Sequence, residues 1–389
     1  MGIFFNLSFR NFVKSIGLNS LNIIGLSLGL IAALLIIVYA DHELNFDQFH
    51  NNAHQIYRME GKTNGDMWFT NLGVEHGREL ATGSYPEVKR WVRVNSAPKA
   101  FLESADRRFA ETEILQTNTG SDFFKLFDFQ VLEGDPETLL EAPHSVVLTT
   151  TTAKKYFGER SALGEVLNMD TIPLKVTGVI ADLPSNTHLS FDLIMSNPRL
   201  NEPGHYHAQT YLELVSDSEV DQLEEKILAM DVEHNEYHKL SGVHLVALPD
   251  IYMNSNASFG TGGKGDPLQI KVFLIIGVLI LLIAITNYIN LSQALYLGKG
   301  RTVGVRKVFG ESQLRIILAF IYESIFSVAL TIPFVLIGFS LALPVLNEFL
   351  GVSLENKLIF SPVYFMGTLL FLVLLGVVTV IYPASSLSR

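Results

Sequence analysis

Four long apolar runs, separated by stretches of mixed polarity, set the pattern of this 389-residue chain. Ser15–Ala40 has no charge between Lys14 and Asp41, and Val272–Gly298 has none between Lys271 and Lys299. Ile316–Asn347 contains one charge, Glu323, and Leu358–Ser388 contains none before Arg389. Crossing ~30 Å of hydrocarbon takes ~20 apolar residues, so each run is long enough. The pattern predicts transmembrane helices over 18–40, 269–298, 316–347 and 358–389. Gly25, Ser27 and Gly29 are small residues where another helix can approach the first. Pro333 and Pro344 each predict a kink in the third. A secretory signal peptide is the competing reading of the first run. Its length, and the YADHEL that follows it in place of a cleavage site, favour an uncleaved helix.

Between the first two runs, 41–268 reads as globular sequence. Stretches rich in β-branched residues predict strands at Val88–Val94, Ser145–Thr149, Leu174–Ile180, Thr210–Val215 and Val243–Ala247. Helices are expected at Leu72–Ala81, Ser121–Phe127, Thr151–Phe157 and Ser218–Met230, the last with Val220, Leu223, Ile227 and Met230 on one face. This mixture reads as α+β with two lobes. Leu183–His188 is a turn cluster, and the Gly-rich Asn254–Pro267 is an exposed linker. In residues 1–17, Phe4, Phe5, Phe9 and Phe12 alternate with polar and basic residues. They predict an amphipathic helix in the inner headgroup layer, or simply a basic flank. Residues 348–357 form a short outer turn. The expected fold class is a membrane α-helical protein of 1+3 topology, four transmembrane helices with a large extracytoplasmic α+β domain between the first and second.

Charge orients this scheme. Residues 299–315 carry Lys299, Arg301, Arg306, Lys307 and Arg315 against Glu311 alone, and the positive-inside rule assigns such a loop to the cytoplasm. Both termini then fall inside and 41–268 outside. That segment holds 18 Lys+Arg against 35 Asp+Glu, so a basic nucleic-acid surface is absent and nucleic acid is excluded as a partner. The chain has no cysteine and therefore no disulfide framework.

Few residues suggest chemistry. Gly263-Lys264 lacks the spacing and the Ser/Thr of a nucleotide-binding loop, and neither G-x-S-x-G nor HExxH occurs. His42, His50 and His54, and again His205 and His207, lie close in sequence but in no metal-ligand spacing, so they read as surface or packing residues. No catalytic set, cofactor site or metal site is expected. Asn287 and Asn290 share a helical face where polar groups usually point at another helix. Glu323 lies ~12 Å past Arg315 along a helix. It is expected to bond Asn287 or Asn290 or pair with a loop arginine, with a gating role as the alternative. Val303, Val305, Val308 and Phe309, among Arg301, Arg306 and Lys307, predict a short amphipathic helix docking on a cytoplasmic partner. A plain topology-setting loop is the competing reading.

The run TNYINLSQAL…GKGRTVGVRKVFGESQLRIILAFIYESIF resembles the permease subunits of ABC transporters of the MacB/FtsX/LolCDE type. Members carry an R-x-x-E-(I/V)-G-(I/V)-R-K-x-(L/F)-G-A pattern in this loop, and Gly304, Val305, Arg306, Lys307 and Gly310 match it, with Arg301 as a further cation two residues from Lys299, which stands at the pattern's first Arg. Thr302 and Glu311 depart from it, standing where the family usually has Glu and often has Ala. The opening SFRNFVKSIGLNSLNIIGLSLGL is also similar. FFKLFDFQVLEGDP, SVVLTTTTAKKYFG and VTGVIADLPSNTHLSFDLIMS resemble the periplasmic domain of Bacteroidetes members.

The resemblance implies a bacterial inner-membrane permease with porter-like and Sabre-like periplasmic lobes. It implies a separate cytoplasmic ABC ATPase subunit, which binds the ATP and Mg, and makes 299–315 the ATPase-coupling loop. A second permease copy or half is expected, since many Bacteroidetes members are double-length. A periplasmic adaptor, an outer-membrane duct or a hydrolase are further partner classes. The expected activity is mechanotransmission: ATPase closure moves the helices and the periplasmic domain, exporting or extracting a substrate. An FtsX-like signalling subunit that activates a cell-wall hydrolase is the alternative. A membrane-anchored binding protein without an ATPase is a third reading.

Overall fold

The structure, a computed structural model, describes residues 15–62, 67–70, 85–104, 107–118, 120, 122–201, 208–215, 220–234, 240–257, 263–354 and 361–388. The helices expected at Leu72–Ala81 and in 1–17 before Ser15, together with His205 and His207, lie outside these residues. The chain divides into a helical unit, Met1–Glu43 with Leu268–Arg389, and an α+β unit, Leu44–Pro267.

The described strands of the α+β unit run in chain order as β1 (Ile56–Lys62), β2 (Trp68–Phe69), β3 (Val88–Ser96), β4 (Ala100–Ser104), β5 (Arg107–Glu111), β6 (Ile114–Thr117) and β7 (Val131–Glu133), then β8 (Ser145–Thr149), β9 (Val166–Met169), β10 (Ile172–Ile180), β11 (Leu193–Ser196), β12 (Gln209–Leu214) and β13 (Gly242–Ala247). One hydrogen-bonded path joins β13-β1-β12-β3-β6-β11-β8-β10-β9-β4-β5, with β2 on β1 and β7 on β10. The two expected lobes are thus two ends of one mixed sheet. Parallel pairing occurs at β8–β10 and β6–β11. β8, SVVLT, is buried at every position, as its unbroken apolar run requires of a strand covered on both faces.

Short helices cover the sheet. Thr149 caps the helix Thr150–Phe157, its hydroxyl accepting from Thr152 N–H, and Gly158 at φ +67° ends it. Tyr156 and Phe157 from that helix pack on Leu148, Leu174 and Val176 at one end of the sheet. At the other end Leu223 and Ile227 of Val220–His234 are buried against Tyr57, Leu212 and Leu245. Between them Phe123, Phe127, Phe129, Phe191 and Tyr211 form a common aromatic core. Gly134, at φ +100°, ends β7 against β10, where a Cβ would lie 2.5 Å from the Thr177 carbonyl.

The helical unit contains α1 (Ile16–Leu44), α2 (Pro267–Leu297), α3 (Gly300–Val308), α4 (Gln313–Ala329), α5 (Thr331–Leu350) and α6 (Pro362–Ser388). Among the described residues, Ile16–Leu44, Pro267–Leu297 and Gln313–Leu350 are long and apolar enough to cross a membrane, and α6 carries the apolar stretch Tyr364–Val380. The third run breaks at Leu330. Pro333 has no N–H to return to the Ala329 carbonyl, so the ladder opens four residues before it. One residue earlier, the Thr331 hydroxyl donates to the Val328 carbonyl at 2.6 Å. Pro344 stays inside α5 without ending it. Gly29 of α1 meets α2 so closely that a Cβ would lie 2.2 Å from that of Ala284, whereas at Gly25 it would meet nothing within 4 Å among the described residues.

Candidate coupling site

Between α2 and α4 the basic loop folds as α3, and hydrogen bonds fix where it stops. Gly310, at φ +80°, donates its N–H to the Lys307 carbonyl at 2.9 Å, and Glu311 donates to the Arg306 carbonyl at 3.1 Å. This is the Schellman arrangement, in which a left-handed residue, usually glycine, satisfies the last carbonyls. It gives Gly310 a backbone reason to be glycine. Glu311 contributes that N–H, and its carboxylate lies 3.8 Å from Arg306 Nε.

The expected apolar side of the loop helix splits in two. Val303 is 3% exposed and packs with Tyr296, Ile316, Phe320 and Val380, which anchors α3 to α2, α4 and α6. Val305, Val308 and Phe309 face outward, the last two 87% and 86% exposed. Arg301 and Gly304 are exposed beside them, and Arg306 and Lys307 are half-buried. A Cβ placed on Gly304 would meet no neighbouring atom within 4 Å among the described residues, so none of them requires glycine there, though one in a helix costs ~1 kcal/mol against alanine. Val305, Val308 and Phe309 thus form an exposed ridge bordered by cations and by Gly304, which has no side chain.

The polar residues at membrane depth are placed differently from expectation. Asn287 and Asn290 are exposed on α2, whose buried face carries Gly277, Ala284, Tyr288, Ser292 and Tyr296. They do not bond Glu323. Glu323 pairs with Lys299, whose ammonium reaches from the α2–α3 turn and donates to Glu323 Oε1 on α4. The correction has a simple cause: 100° per residue turns both asparagines away from the helices that α2 packs against. The interhelical polar contact comes instead from Asn22 of α1, which donates to Ser292 Oγ at 2.9 Å and to the Tyr288 carbonyl at 3.4 Å. Its polar neighbours in α1 gave a signal that periodicity alone did not rank. On α4, Ser324 meets Thr379 of α6 at 3.0 Å.

The histidines also acquire definite roles. Among the described residues no three His, Cys, Asp or Glu groups converge on a metal site. His50 is buried among Phe49, Phe127 and Phe129, and its Nδ1 accepts the Asp128 N–H at 2.9 Å. Burial holds this imidazole neutral, pushing its pKa from 6.5 down to about 4 despite the nearby Asp47 and Asp128. Asp47, in the left-handed region at φ +56°, accepts from Thr187 Oγ1 at 2.7 Å and meets His188 Nδ1 at 2.7 Å. Burial alone would raise this carboxyl, but the His188 ring, its N–H and the Thr187 hydroxyl outweigh it and hold the group below the usual range. His188 Nε2 continues to the Tyr211 hydroxyl at 2.7 Å. The LPSNTH turn is therefore clamped to Asn45–Asp47, a contact 141 residues apart in sequence.

Comparison with known proteins places this architecture. Residues 20–230 match the MacB-like periplasmic core domain family, and residues 274–389 match the FtsX-like permease C-terminal family. The chain belongs to the MacB/FtsX-type permeases of ABC transporters. Like other MacB/FtsX-type permeases, it is a membrane protein with a large extracytoplasmic α+β domain. The macrolide export ATP-binding/permease protein MacB of Vibrio parahaemolyticus is 21% identical over 238 residues, 60% of this chain and 36% of that protein. The chain thus spans about a third of that relative's length. Solved structures with some likeness include a permease-protein domain from Porphyromonas gingivalis (TM-score 0.44, 16% identity, 58% of this chain and 99% of that one). Another is the periplasmic region of MacB from Actinobacillus actinomycetemcomitans (TM-score 0.39, 17% identity, 52% and 91%).

Proposed function

We propose that this chain is the permease of an inner-membrane ABC assembly, with four crossings in 1+3 order, both termini cytoplasmic and 41–268 periplasmic. Its α3 is the docking element for a cytoplasmic ABC ATPase, and Arg301, Gly304, Val305, Arg306, Lys307 and Gly310 form or shape the contact. ATP and Mg bind to that ATPase, and its closure moves the helices and, through them, the periplasmic domain to export or extract a substrate. The name of the Vibrio relative joins ATP-binding and permease functions, which suits a motor held outside the part shared with this chain. A second permease copy or half completes the unit.

The observation that carries the reading is the outward ridge of Val305, Val308 and Phe309 on a helix anchored by Val303. A loop serving only to set topology needs its cations, not a capped helix with its largest apolar residues exposed. Reversing charge with Arg306→Glu and Lys307→Glu is expected to abolish recovery of an ATPase with the full chain in mild detergent. Undiminished recovery would remove α3 from the coupling role. FtsX-like signalling would use the same motor contact. A peptidoglycan hydrolase recovered with the chain, in place of an adaptor or duct, would select it.

A further inference from the structure

α3 is tied to α4 by more than the turn that joins them. Lys299 immediately precedes α3 and pairs with Glu323, and their side chains are only 23% and 13% exposed. Lys299 Nζ also lies 5.2 Å from the Tyr296 ring centroid, and that ring packs on Phe320 of α4 at 5.3 Å. Val303 enters the same cluster one turn into α3. The pair borders a small polar cavity of ~20 Å³ lined by Asn19, Asn22, Ser292 and Ser327 among others. Glu323 sits ten residues past Gln313, or ~15 Å along α4, and α4 ends at the Leu330 break. The ionic contact therefore enters α4 beyond its midpoint, while the covalent connection through Gly310–Ser312 enters at its start.

Resting on the coupling-site reading above, we propose that the Lys299–Glu323 pair is the joint that makes α3 and α4 move as one lever. The turn and the Val303 packing hold α3 near the start of α4, and the pair adds an attachment farther along α4 that resists rotation between the helices. With the pair intact, displacement of α3 by the ATPase tilts α4 about the Leu330 break. Without it, α3 remains packed on the start of α4 through Val303, but its displacement is passed to the far half of α4 less fully. Lys299 and Glu323 are positioning residues and touch no substrate.

The decisive variant removes both charges of the pair together, Lys299→Met with Glu323→Gln. The full chain with its co-recovered ATPase would be placed in lipid nanodiscs. Hydrogen exchange across 44–267 would be compared with and without ATP and vanadate. The wild type is expected to show a nucleotide-dependent change. The double variant is expected to recover and turn over the ATPase equally while that change falls about tenfold. Lys299→Arg, which keeps the ion pair, is expected to retain it. A double variant with the full wild-type change overturns the proposal alone. So does one that loses its ATPase, because the pair would then shape the docking surface. A wild-type chain that recovers no ATPase overturns the coupling-site reading and this proposal with it.

Discussion

Replacing His50 by asparagine separates a buried imidazole's packing from its proton. In the α+β unit the ring is held neutral: its Nδ1 is occupied by the Asp128 N–H, and three phenylalanines surround it. Its pKa falls from 6.5 to about 4. Above pH 6.5 both folded and unfolded chains carry a neutral ring, and the full contribution to stability is present. As pH falls below 6.5 the unfolded chain takes up a proton that the folded one refuses until about pH 4, so stability is lost across that window. At ~1.36 kcal/mol per unit the total loss is about 3 kcal/mol. Between pH 7.5 and pH 5 it is about 2 kcal/mol, or about 30-fold in the opening equilibrium. Asparagine can accept the Asp128 N–H where Nδ1 stood, but it takes no proton. The assay is hydrogen-exchange protection of amides in β1 and in Asp122–Leu126 of the detergent-solubilised full chain, corrected for intrinsic rates. His50→Asn is expected to lower protection at pH 7.5, through lost ring contacts, and to flatten the acid slope by about 30-fold. An unchanged slope would show that the buried ring does not control the acid response.

Three further outcomes follow from particular contacts. Gly304→Ala is expected to leave the melting temperature of the solubilised chain unchanged or raise it, by up to ~1 kcal/mol of helix propensity, while weakening ATPase recovery. Retained recovery would mean that no partner backbone approaches there. Gly29→Val is expected to destabilise the helical unit by ~1–3 kcal/mol through overpacking, and Ala284→Gly should restore part of the loss in a thermal melt. Absence of any loss would place α1 and α2 farther apart than the Gly29–Ala284 contact does. Gly310→Ala is expected to cost ~1 kcal/mol at its left-handed φ, seen as faster exchange at Lys307–Glu311.

Elements governed by local pattern were legible in the sequence. Ser145–Thr149 is a strand with those bounds because a run of β-branched residues ends in a capping threonine. The stripe Val220, Leu223, Ile227 and Met230 identified its helix, and Pro333 announced a break, although the break itself lies at Leu330. What escaped depends on which distant residue supplies the other half of a contact. Periodicity put Asn287 and Asn290 on one face but could not say that α2 packs with the opposite one. Glu323 needed a cation, and the geometry of the turn selected Lys299. Asp47 and His188 lie in unremarkable local sequence, and only the fold brings them together. Four valine and phenylalanine positions predicted one apolar side on α3. Tertiary packing took Val303 and left Val305, Val308 and Phe309 outside.

The central claim is that this outward side of α3 meets an ABC ATPase, and site-specific photo-crosslinking in native membranes tests it most directly. A photoreactive residue at Phe309 or Val308 is expected to capture a protein with a nucleotide-binding Walker motif. The same probe at Val303, 3% exposed, is expected to crosslink only within the chain. Capture of that protein from Val303 but not from Phe309, or from neither, would contradict the account.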